Sequence, residues 1–553
     1  MTPDPELPVV QRGRSMFVGL PPVGRRWSAG LRSAFAFGIP ALIAVTIGHN
    51  QQALVVTLGA FAVIYGEGRP YRTRWSTVCI AGAALFGAAA VGTVVGKAGG
   101  SQVVEVLVLA VVAMIGAYVV AAARLGPPGS FFFVLVCAVA VLMAKGGLSP
   151  AVILSCTAIG VASAVVVSMA GVVVDRRKPE RMAVAAAQRS VAAYLQQRES
   201  GAPAGNARHD AGAAVHAAWT AVYDAGLPER TPNSALPQTL LDAHMRFVGI
   251  AVADPDTAND RQAPQPRPQI PLARPSLAYR LHRSLSFQSQ AATTAMRVAV
   301  ASLVSGGVSI AFGLPRPDWA IIAAVLVLHQ GPDRIRGSVR GLHRFVGTAV
   351  GLVFFGVLFQ LSLTGVWLIL VLMALQFLIE LFIARNYGIA VVFITPVALL
   401  IGGGSNPNID IATVMRDRLI ETTVGVAVGV AALWLVVPHA HRRTFGWTAA
   451  RTLDAGQGLI ELVRRERTDT LAALRLRRDL QFELTGCARS GVDSAYNERS
   501  WTERNWSAHA AVGQLGYDLL GACWSAPDGT LADPNSWSED FRRAREERNT
   551  LRR

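Results

Sequence analysis

The strongest constraint on the fold is the alternation of long apolar runs with short turns that are rich in arginine. Residues 318–359, DWAIIAAVLVLHQGPDRIRGSVRGLHRFVGTAVGLVFFGVLF, contain two apolar runs joined by GPDRIRGSVRGLHR, which carries four arginines. Such a stretch fits either a hinge in a soluble helical core or a membrane hairpin with a basic cytoplasmic turn. The hairpin is favoured because apolar residues along the chain come in blocks, without the 3.6- or 2-residue period of one-sided helices and strands.

Composition and charge also favour a membrane protein. Of the 553 residues, 52% are hydrophobic and 16% are charged, whereas about 25% of the residues of a soluble domain are charged. The formal charge is +16, from 52 basic and 36 acidic residues. The arginines lie in short turns beside apolar blocks, and no RNP-like run, zinc-finger spacing or heptad-linked basic region is present. We therefore expect membrane lipids, and not nucleic acid, as partners of this charge.

The apolar runs predict an all-α, polytopic integral membrane protein with about twelve spans in two sets of six. A straight helix needs about 20 residues to cross about 30 Å of hydrocarbon, so each of the shorter runs could instead be re-entrant. The predicted spans are approximately 31–48, 53–66, 77–95, 103–123, 130–144 and 151–174, then 296–313, 318–331, 346–363, 366–384, 388–401 and 419–437.

The two sets of spans look like one six-helix unit used twice. A constant shift of 265 residues places Arg32 on Arg297 and Gly48 on Gly313, with further matches along both sets. Six spans per unit leave both units in the same orientation, so the repeats would be parallel and related by an axis along the membrane normal. Lys and Arg concentrate on the side of the N-terminus, which predicts that both termini are cytoplasmic.

Polar regions with helical periodicity flank the second set of spans, and we expect them to pack together under the membrane domain. A proline-rich piece inside the first region is too polar to order itself. The predicted parts are a cytoplasmic N-terminal arm (1–30), a first transmembrane repeat (31–174), a cytoplasmic helical region (175–290) with a Pro-rich linker (255–275), a second transmembrane repeat (291–438), a cytoplasmic C-terminal helical region (439–524) and a solvated tail (525–553).

Charged side chains at or within the spans are the candidates for the chemistry, because an ionisable group in lipid costs at least about 2.5 to 3.5 kcal/mol on insertion scales. Arg32 and Arg297 lie just inside their spans. They either attract an anion together at the pseudo-twofold axis or extend to the cytoplasmic surface as solvated side chains. Arg344 allows the same two interpretations.

Two acidic residues and one histidine complete the charged candidates. Glu380, in LQFLIELFIAR, could carry a proton or pair with an arginine of another helix, since Arg385 is five residues away and does not face it. Arg418 and Glu421 are three residues apart, and pairing on one helix face is favoured over a role in transport. His329 ends an apolar run, where it either relays protons near neutral pH or packs at a helix end.

Short apolar runs at matching places in the two sets, 53–66 and 318–331, point to a substrate pathway, because broken helices expose backbone groups to a cavity. No metal site or cofactor is predicted. The two histidines of PHAH at 438–441 have no companion ligands, and the five cysteines form no CxxC pair. The sequence contains no P-loop, G-x-S-x-G or H-E-x-x-H motif, so we expect no enzymatic activity.

A family resemblance rests on the second set of spans. The pattern W-x-x-x-x-A-x-L-V-L begins at Trp319, and Arg344-x-x-Gly347-Thr348-x-x-Gly351 follows it. Together they resemble the hallmark R-x-x-G-T-x-x-G segment of the FUSC family. These are the fusaric acid resistance and aromatic acid exporter proteins, which are related to plant aluminium-activated malate transporters.

The resemblance extends to the last span and differs between the two halves of the chain. Arg418-x-x-Glu421-x-x-x-Gly425 is similar to the family's last-span pattern. In the first half, Cys79 occupies the position equivalent to Arg344, and the equivalents of Thr348 and Gly351 are Ala83 and Phe86. The hallmark site would then function in one half only.

What the resemblance implies is transport of organic anions. We expect an exporter of aromatic or other carboxylate-bearing compounds, driven by an ion gradient and located in the cell (inner or plasma) membrane. Arg297 and Arg344 would attract the anion, Gly347 and Thr348 would border its path, and Glu380 or His329 would couple protons. A passive anion channel and a non-transporting membrane scaffold are the alternatives. A second copy of the chain or a periplasmic adaptor protein is a further partner that the sequence leaves open.

Overall fold

The computed structural model describes residues 7, 17–20, 26–126, 128–200, 205–231, 234–252, 272, 274–329, 331, 333–404 and 410–550. Regular structure in these ranges is helical throughout. The Pro-rich linker predicted at 255–275 and most of the N-terminal arm predicted at 1–30 lie outside the described residues.

Two groups of six apolar helices form the membrane domain. The first group is α1 (Trp27–Thr46), α2 (Asn50–Ile64, in short consecutive pieces), α3 (Tyr71–Lys97), α4 (Gln102–Ala122), α5 (Phe131–Lys145) and α6 (Pro150–Val174). Polar helices follow as α7 (Lys178–Glu199), α8 (Gly205–Asp224), α9 (Leu227–Arg230), α10 (Ala235–Val252) and α11 (Leu277–Arg283). The second apolar group is α12 (Gln290–Ala311), α13 (Pro317–Leu328), α14 (Arg334–Gln360), α15 (Gly365–Phe382), α16 (Tyr387–Leu399) and α17 (Ile411–Leu435).

Side-chain caps explain where several of these helices begin. Ser289 Oγ accepts a hydrogen bond from the backbone N–H of Ala292 at 3.0 Å before α12. The Asp333 carboxylate does the same for Arg336 at 3.0 Å before α14. Such caps satisfy backbone donors that the first helical turn leaves unpaired.

Eight of the twelve apolar helices are long and apolar enough to cross a membrane: α1, α3, α4, α6, α12, α14, α15 and α17. The chain is therefore a polytopic membrane protein. The other four, α2, α5, α13 and α16, are shorter. Length and composition thus support eight of the approximately twelve predicted spans within the described residues. The order long, short, long, long, short, long occurs in both groups.

Helix α13 shows why a short helix is tolerated at this depth. Its 12 residues extend about 18 Å at 1.5 Å per residue, which is well below the thickness of the hydrocarbon. All of its residues from Trp319 to Leu328 are buried inside the protein. Helix α13 is therefore apolar all round because other helices, and not lipid, surround it.

Helix pairing is the same within the two groups and reciprocal between them. In each group the third helix packs on the fifth (α3 on α5, α14 on α16) and the sixth packs on the second (α6 on α2, α17 on α13). Between the groups, the first helix of one packs on the fourth helix of the other (α1 on α15, α12 on α4).

Glycines allow the sixth helix of each group to touch the backbone of the second. A Cβ added to Gly160 of α6 would lie 2.1 Å from the carbonyl oxygen of Val56. A Cβ added to Gly425 of α17 would lie 2.1 Å from the carbonyl oxygen of Ala320. Each contact is with backbone, which cannot rotate away as a side chain can.

We expect Gly425→Ala to lower the stability of the membrane domain by about 1 to 3 kcal/mol, because overpacking forces α17 and α13 apart. The measurement is the thermal unfolding midpoint of the purified protein in detergent. Gly307→Ala in α12 is the matched control, since no atom lies within 4 Å of its added Cβ, and alanine is the better helix former there. Equal midpoints for the two variants would contradict the close packing.

The polar helices after the second group form the rest of the extramembrane region: α18 (Ala440–Val463), α19 (Leu471–Asn497), α20 (Arg499–Ser525) and α21 (Pro534–Thr550). The two polar regions pack together, with Trp524 of α20 in the same apolar cluster as Trp219 of α8. An ion pair of 2.9 Å also joins Arg208 to Asp518.

The tail from Ser525 is predicted from the sequence to be solvated, but part of it packs against the protein. Its helix α21 packs against α18, and Phe541 is 2% exposed. The ring of Phe541 fills the space above Gly456, where an added Cβ would lie 2.0 Å from Cε1 of that ring. Trp537 and Ala544 of the same helix pack on the same apolar cluster as Phe541, so a few apolar residues among many charged ones dock the helix.

Candidate functional site

A cavity of about 840 Å³ lies between the two groups of six helices. All four short apolar helices line it, and they occupy the second and fifth positions of each group. They contribute Thr57, Leu58, Phe61 and Ile64 from α2, Phe131, Phe132, Leu135 and Val139 from α5, Trp319, Ile322 and Leu326 from α13, and Tyr387, Ile394, Val397 and Ala398 from α16.

Most of this lining is apolar, and much of it is aromatic. The rings of Phe61 and Phe132 lie 4.5 Å apart between centroids, and Trp319 and Phe131 add further ring surface. Ligand pockets of about 300 to 1,000 Å³ with an apolar lining and a few polar groups are typical of small-molecule sites. The cavity therefore has the size and surface for a small, mainly apolar ligand.

Arg418 of α17 lies in this wall with its charge uncompensated by hydrogen bonds. The residue is 2% exposed, and its Cζ stacks 3.5 Å from the ring centroid of Trp319. Its three guanidinium nitrogens are all buried and have no hydrogen-bond partner among the described residues. The stacking holds the planar group in place and leaves its N–H edges available.

Arg344 of α14 is the second such group. It is 1% exposed and lines the same cavity. Within the described ranges, its Nε and Nη1 atoms have no hydrogen-bond partner, and the Tyr387 side chain is its neighbour in the cavity wall. Arg340, one helical turn earlier on α14, is a third arginine of the lining.

The glycines after Arg344 have a packing role. A Cβ on Gly347 would lie 2.5 Å from the carbonyl oxygen of Gly388, and one on Gly351 would lie 2.8 Å from that of Val392. These contacts bring α14 against α16. Gly347 and Thr348, predicted to border the pathway, do not line the cavity, although Thr348 is fully buried and its Oγ1 has no described partner.

An ion-pair network lies where α1 begins and α2 ends. Glu380 of α15 is 4% exposed and lines the cavity. Its Oε2 lies 3.5 Å from Nη2 of Arg26, and the same nitrogen lies 3.0 Å from Oε2 of Glu67. The sequence predicts that Glu380 pairs with an arginine of another element and not with Arg385. The contact with Arg26 agrees with this prediction.

His329 follows the last residue of α13 and also lines the cavity. Its Nδ1 lies 3.2 Å from the carbonyl oxygens of both Val325 and Leu326. Carbonyls only accept, so Nδ1 carries the hydrogen and helps to cap the helix end. A relay through His329 would have to use its other ring nitrogen.

Arg297 does not line the cavity, and the structure assigns it a helix-capping role. It is 1% exposed and donates hydrogen bonds to the carbonyl oxygens of Leu433 and Val436, both at 2.9 Å. These carbonyls belong to the end of α17, which a cation stabilises. Nη2 of Arg32 instead lies 3.7 Å from Oε1 of Glu67. These contacts therefore do not support the prediction that Arg32 and Arg297 attract one anion together.

The pairing predicted for Arg418 and Glu421 is wrong for the described structure. No ion pair within 4.0 Å joins them among the described residues, and Glu421 Oε1 accepts a hydrogen bond from the backbone N–H of Arg316 at 2.9 Å. Arg418 instead turns toward Trp319 because the aromatic ring offers a flat partner. Glu421 does not line the cavity.

Four of the nine sequence candidates thus meet at one cavity: His329, Arg344, Glu380 and Arg418. Sequence reasoning missed Arg26, Arg340 and Tyr387 of the lining. For Tyr387, the first residue of α16, the available signal is that α5 and α16 are short at matching places, as α2 and α13 are. No such signal marks Arg26, which precedes α1, or Arg340, which lies on the long helix α14.

Comparison with known proteins supports the resemblance noted from the motifs. Residues 292–432 match the model of the fusaric acid resistance protein-like family, and this range contains Arg344, Glu380 and Arg418. The chain is also 22% identical over 469 residues to the uncharacterized membrane protein YvaC of Bacillus subtilis (strain 168), a similarity that covers 74% of this chain and 72% of that protein. No solved structure matches the chain.

Proposed function

We propose that this membrane protein, which carries a fusaric acid resistance-like domain, exports small organic anions, and that aromatic carboxylates are the class its cavity fits best. The observation that carries the proposal is the pair of buried guanidinium groups, Arg344 and Arg418, in an otherwise apolar and aromatic cavity. Buried guanidinium nitrogens without a hydrogen-bond acceptor are costly in a purely structural role. A bound carboxylate would supply the missing acceptors.

The chemistry of the two groups matches a carboxylate in geometry as well as in charge. Guanidinium presents N–H donors in a planar fork that binds both oxygens of a carboxylate. Phe61, Phe132 and Trp319 offer ring faces and edges for the aromatic part of the ligand. A ligand with one carboxylate and one ring would therefore satisfy the cationic and the apolar parts of the lining together.

The architecture supports a transporter built from two parallel repeats with twelve membrane-embedded helices. The reciprocal packing of α1 on α15 and of α12 on α4 is what a twofold axis between the halves would produce. The cavity lies between the halves, where transporters with repeats hold their substrates. Rocking of one half against the other would expose it alternately to the two sides. With the arginine-rich turns placed on the cytoplasmic side of the cell membrane, both termini are cytoplasmic.

The charged lining is unequal in the two halves, which supports a single anion site per chain. Arg340, Arg344 and Arg418 all come from the second half. The 265-residue shift places Cys79 opposite Arg344 and Ile153 opposite Arg418. Glu380, held by Arg26 at the edge of the cavity, is the candidate for coupling to protons, because its ion pair would break on protonation.

Flux of radiolabelled benzoate into proteoliposomes tests the proposal. We expect the purified protein to accelerate benzoate movement over protein-free liposomes. Under the same imposed pH gradient, the proteoliposomes should accumulate benzoate faster than protein-free liposomes, and a protonophore should abolish this excess. Benzoate current that follows voltage without a pH gradient would instead identify a passive channel. Absence of flux for benzoate and for aliphatic carboxylates would contradict transport of organic anions.

A further inference from the structure

A second cavity, of about 320 Å³, lies where the membrane domain meets the extramembrane helices. Its wall comes from the end of α4 and the turn that follows, from the connection between α11 and α12, and from α18 and α19. In contrast to the larger cavity, its lining is rich in polar groups, including Ser284, Gln290 and Thr448. Such a lining suits a hydrated ligand.

Positive charge dominates this lining. Four arginines, Arg124, Arg283, Arg336 and Arg489, face one carboxylate, Asp493. The charge of Arg336 is partly compensated, since its Nη1 lies 3.6 Å from Asp493 Oδ1. Arg283 forms an ion pair with Glu483 behind the wall.

The other two arginines, Arg124 and Arg489, form no ion pair within 4.0 Å with a carboxylate of the described residues. Arg124 donates to the carbonyl oxygen of Phe482 at 3.3 Å and stacks on the ring of the same residue. Within the described ranges, Arg489 forms no ion pair or hydrogen bond, and its side chain is exposed. Burial lowers the pKa of Arg124 to about 9, the charges of Arg283 and Arg489 add to the lowering, and Glu483 opposes it. With four arginines and one carboxylate in the lining, the cavity favours a bound anion.

The two cavities share a thin partition. His329 lines both of them, Pro128 lines the larger one and Gly129 lines the smaller one. A Cβ added to Gly129 would lie 2.3 Å from Cδ2 of His329. The Tyr65 hydroxyl donates to the Gly129 carbonyl oxygen at 2.9 Å, which holds the turn against the histidine ring.

We propose that the smaller cavity is a loading site that binds the organic anion through Arg489 and Arg124 before the anion passes His329 into the larger cavity. The proposal rests on the transport function proposed above and adds a second binding site to it. The polar site would take the carboxylate with its water, and the apolar cavity would take it after the water is lost.

Benzoate kinetics in proteoliposomes test the loading site. We expect Arg489→Gln to raise the half-saturating benzoate concentration several-fold and to leave the maximal rate unchanged. Arg475→Gln, an exposed arginine of α19 away from both cavities, is the matched control and should match the wild type. Wild-type kinetics for Arg489→Gln, with benzoate flux present, would overturn the loading site and leave the proposed function standing. No flux in the wild type would overturn both.

Two glycines with similar backbone conformations test the partition. Gly129 and Gly48 both have positive φ, +78° and +86°, so an alanine strains the backbone similarly at either position. Only Gly129→Ala adds an atom against His329, because Gly48 lines neither cavity and nothing lies within 4 Å of a Cβ on it. We expect Gly129→Ala to lower the maximal rate, Gly48→Ala to leave it near the wild-type value, and His329→Ala to restore it in the Gly129→Ala protein. Equal rates for Gly129→Ala and Gly48→Ala would show that the anion does not pass this partition.

Discussion

Arg344→Gln is expected to reduce benzoate transport at least about tenfold, because a hydrogen bond to a charged group is worth about 1.5 to 3 kcal/mol. Glutamine keeps much of the length of the side chain and loses the charge and the planar fork. Arg344→Lys keeps the charge alone, so an intermediate rate is expected from it. Initial rates of labelled benzoate flux, corrected for the amount of reconstituted protein, give the measurement.

The thermal unfolding midpoint distinguishes a loss of transport caused by the missing charge from a loss caused by misfolding. Arg344 is 1% exposed and two of its nitrogens have no described partner, so removing its charge removes a cost of burial. We expect the thermal unfolding midpoint of Arg344→Gln to equal or exceed that of the wild type, as at sites where function opposes stability. Arg416→Gln is the control, since that side chain is 66% exposed and lies outside the cavity. Unchanged flux in Arg344→Gln would remove the residue from the anion site.

Of all the substitutions proposed for this protein, Glu483→Gln is expected to lower the free energy of unfolding the most. Glu483 is fully buried in α19 and forms ion pairs with Arg283 of α11 and, at 3.5 Å, with Arg451 of α18. The Tyr279 hydroxyl also lies 3.2 Å from its carboxylate. Removing one partner of a buried ion pair costs about 3 to 5 kcal/mol, because the remaining charge stays buried and unpaired.

The thermal unfolding midpoint of the full-length protein in detergent measures this loss. Glu503→Gln on α20 is the matched control, since Glu503 pairs with Arg499 at 3.1 Å on an exposed helix face. Exposed pairs four residues apart contribute about 0.3 to 0.5 kcal/mol, so its midpoint should barely move. Similar midpoints for the two variants would mean that Glu483 does not join α11 to α18 and α19.

Several features of the site were accessible from the sequence. Arg344 and Arg418 were identified because charged residues inside apolar runs need a function or a partner. The runs that became α2 and α13 were identified because of their matching shortness. These inferences depend only on composition along the chain, which the membrane constrains strongly.

Other features depended on contacts between distant parts of the chain. The partner of Glu380 is Arg26, 354 residues away, and no spacing rule connects such positions. Arg297 looked like an anion site and caps α17, because its position relative to the end of that helix is set by how the helices pack. Arg418 stacks on Trp319 of another helix, while the nearby Glu421 binds the backbone of Arg316.

The sequence by itself determined that the chain is a helical membrane protein with two similar sets of apolar runs and a few charges inside them, because hydrocarbon permits few alternatives to a self-satisfied helix. Only the tertiary structure decided which charges share the cavity. Helix rotation and helix pairing choose the neighbours of each side chain, and an apolar run that is uniform on all sides carries no periodic signal from which its buried face could be read.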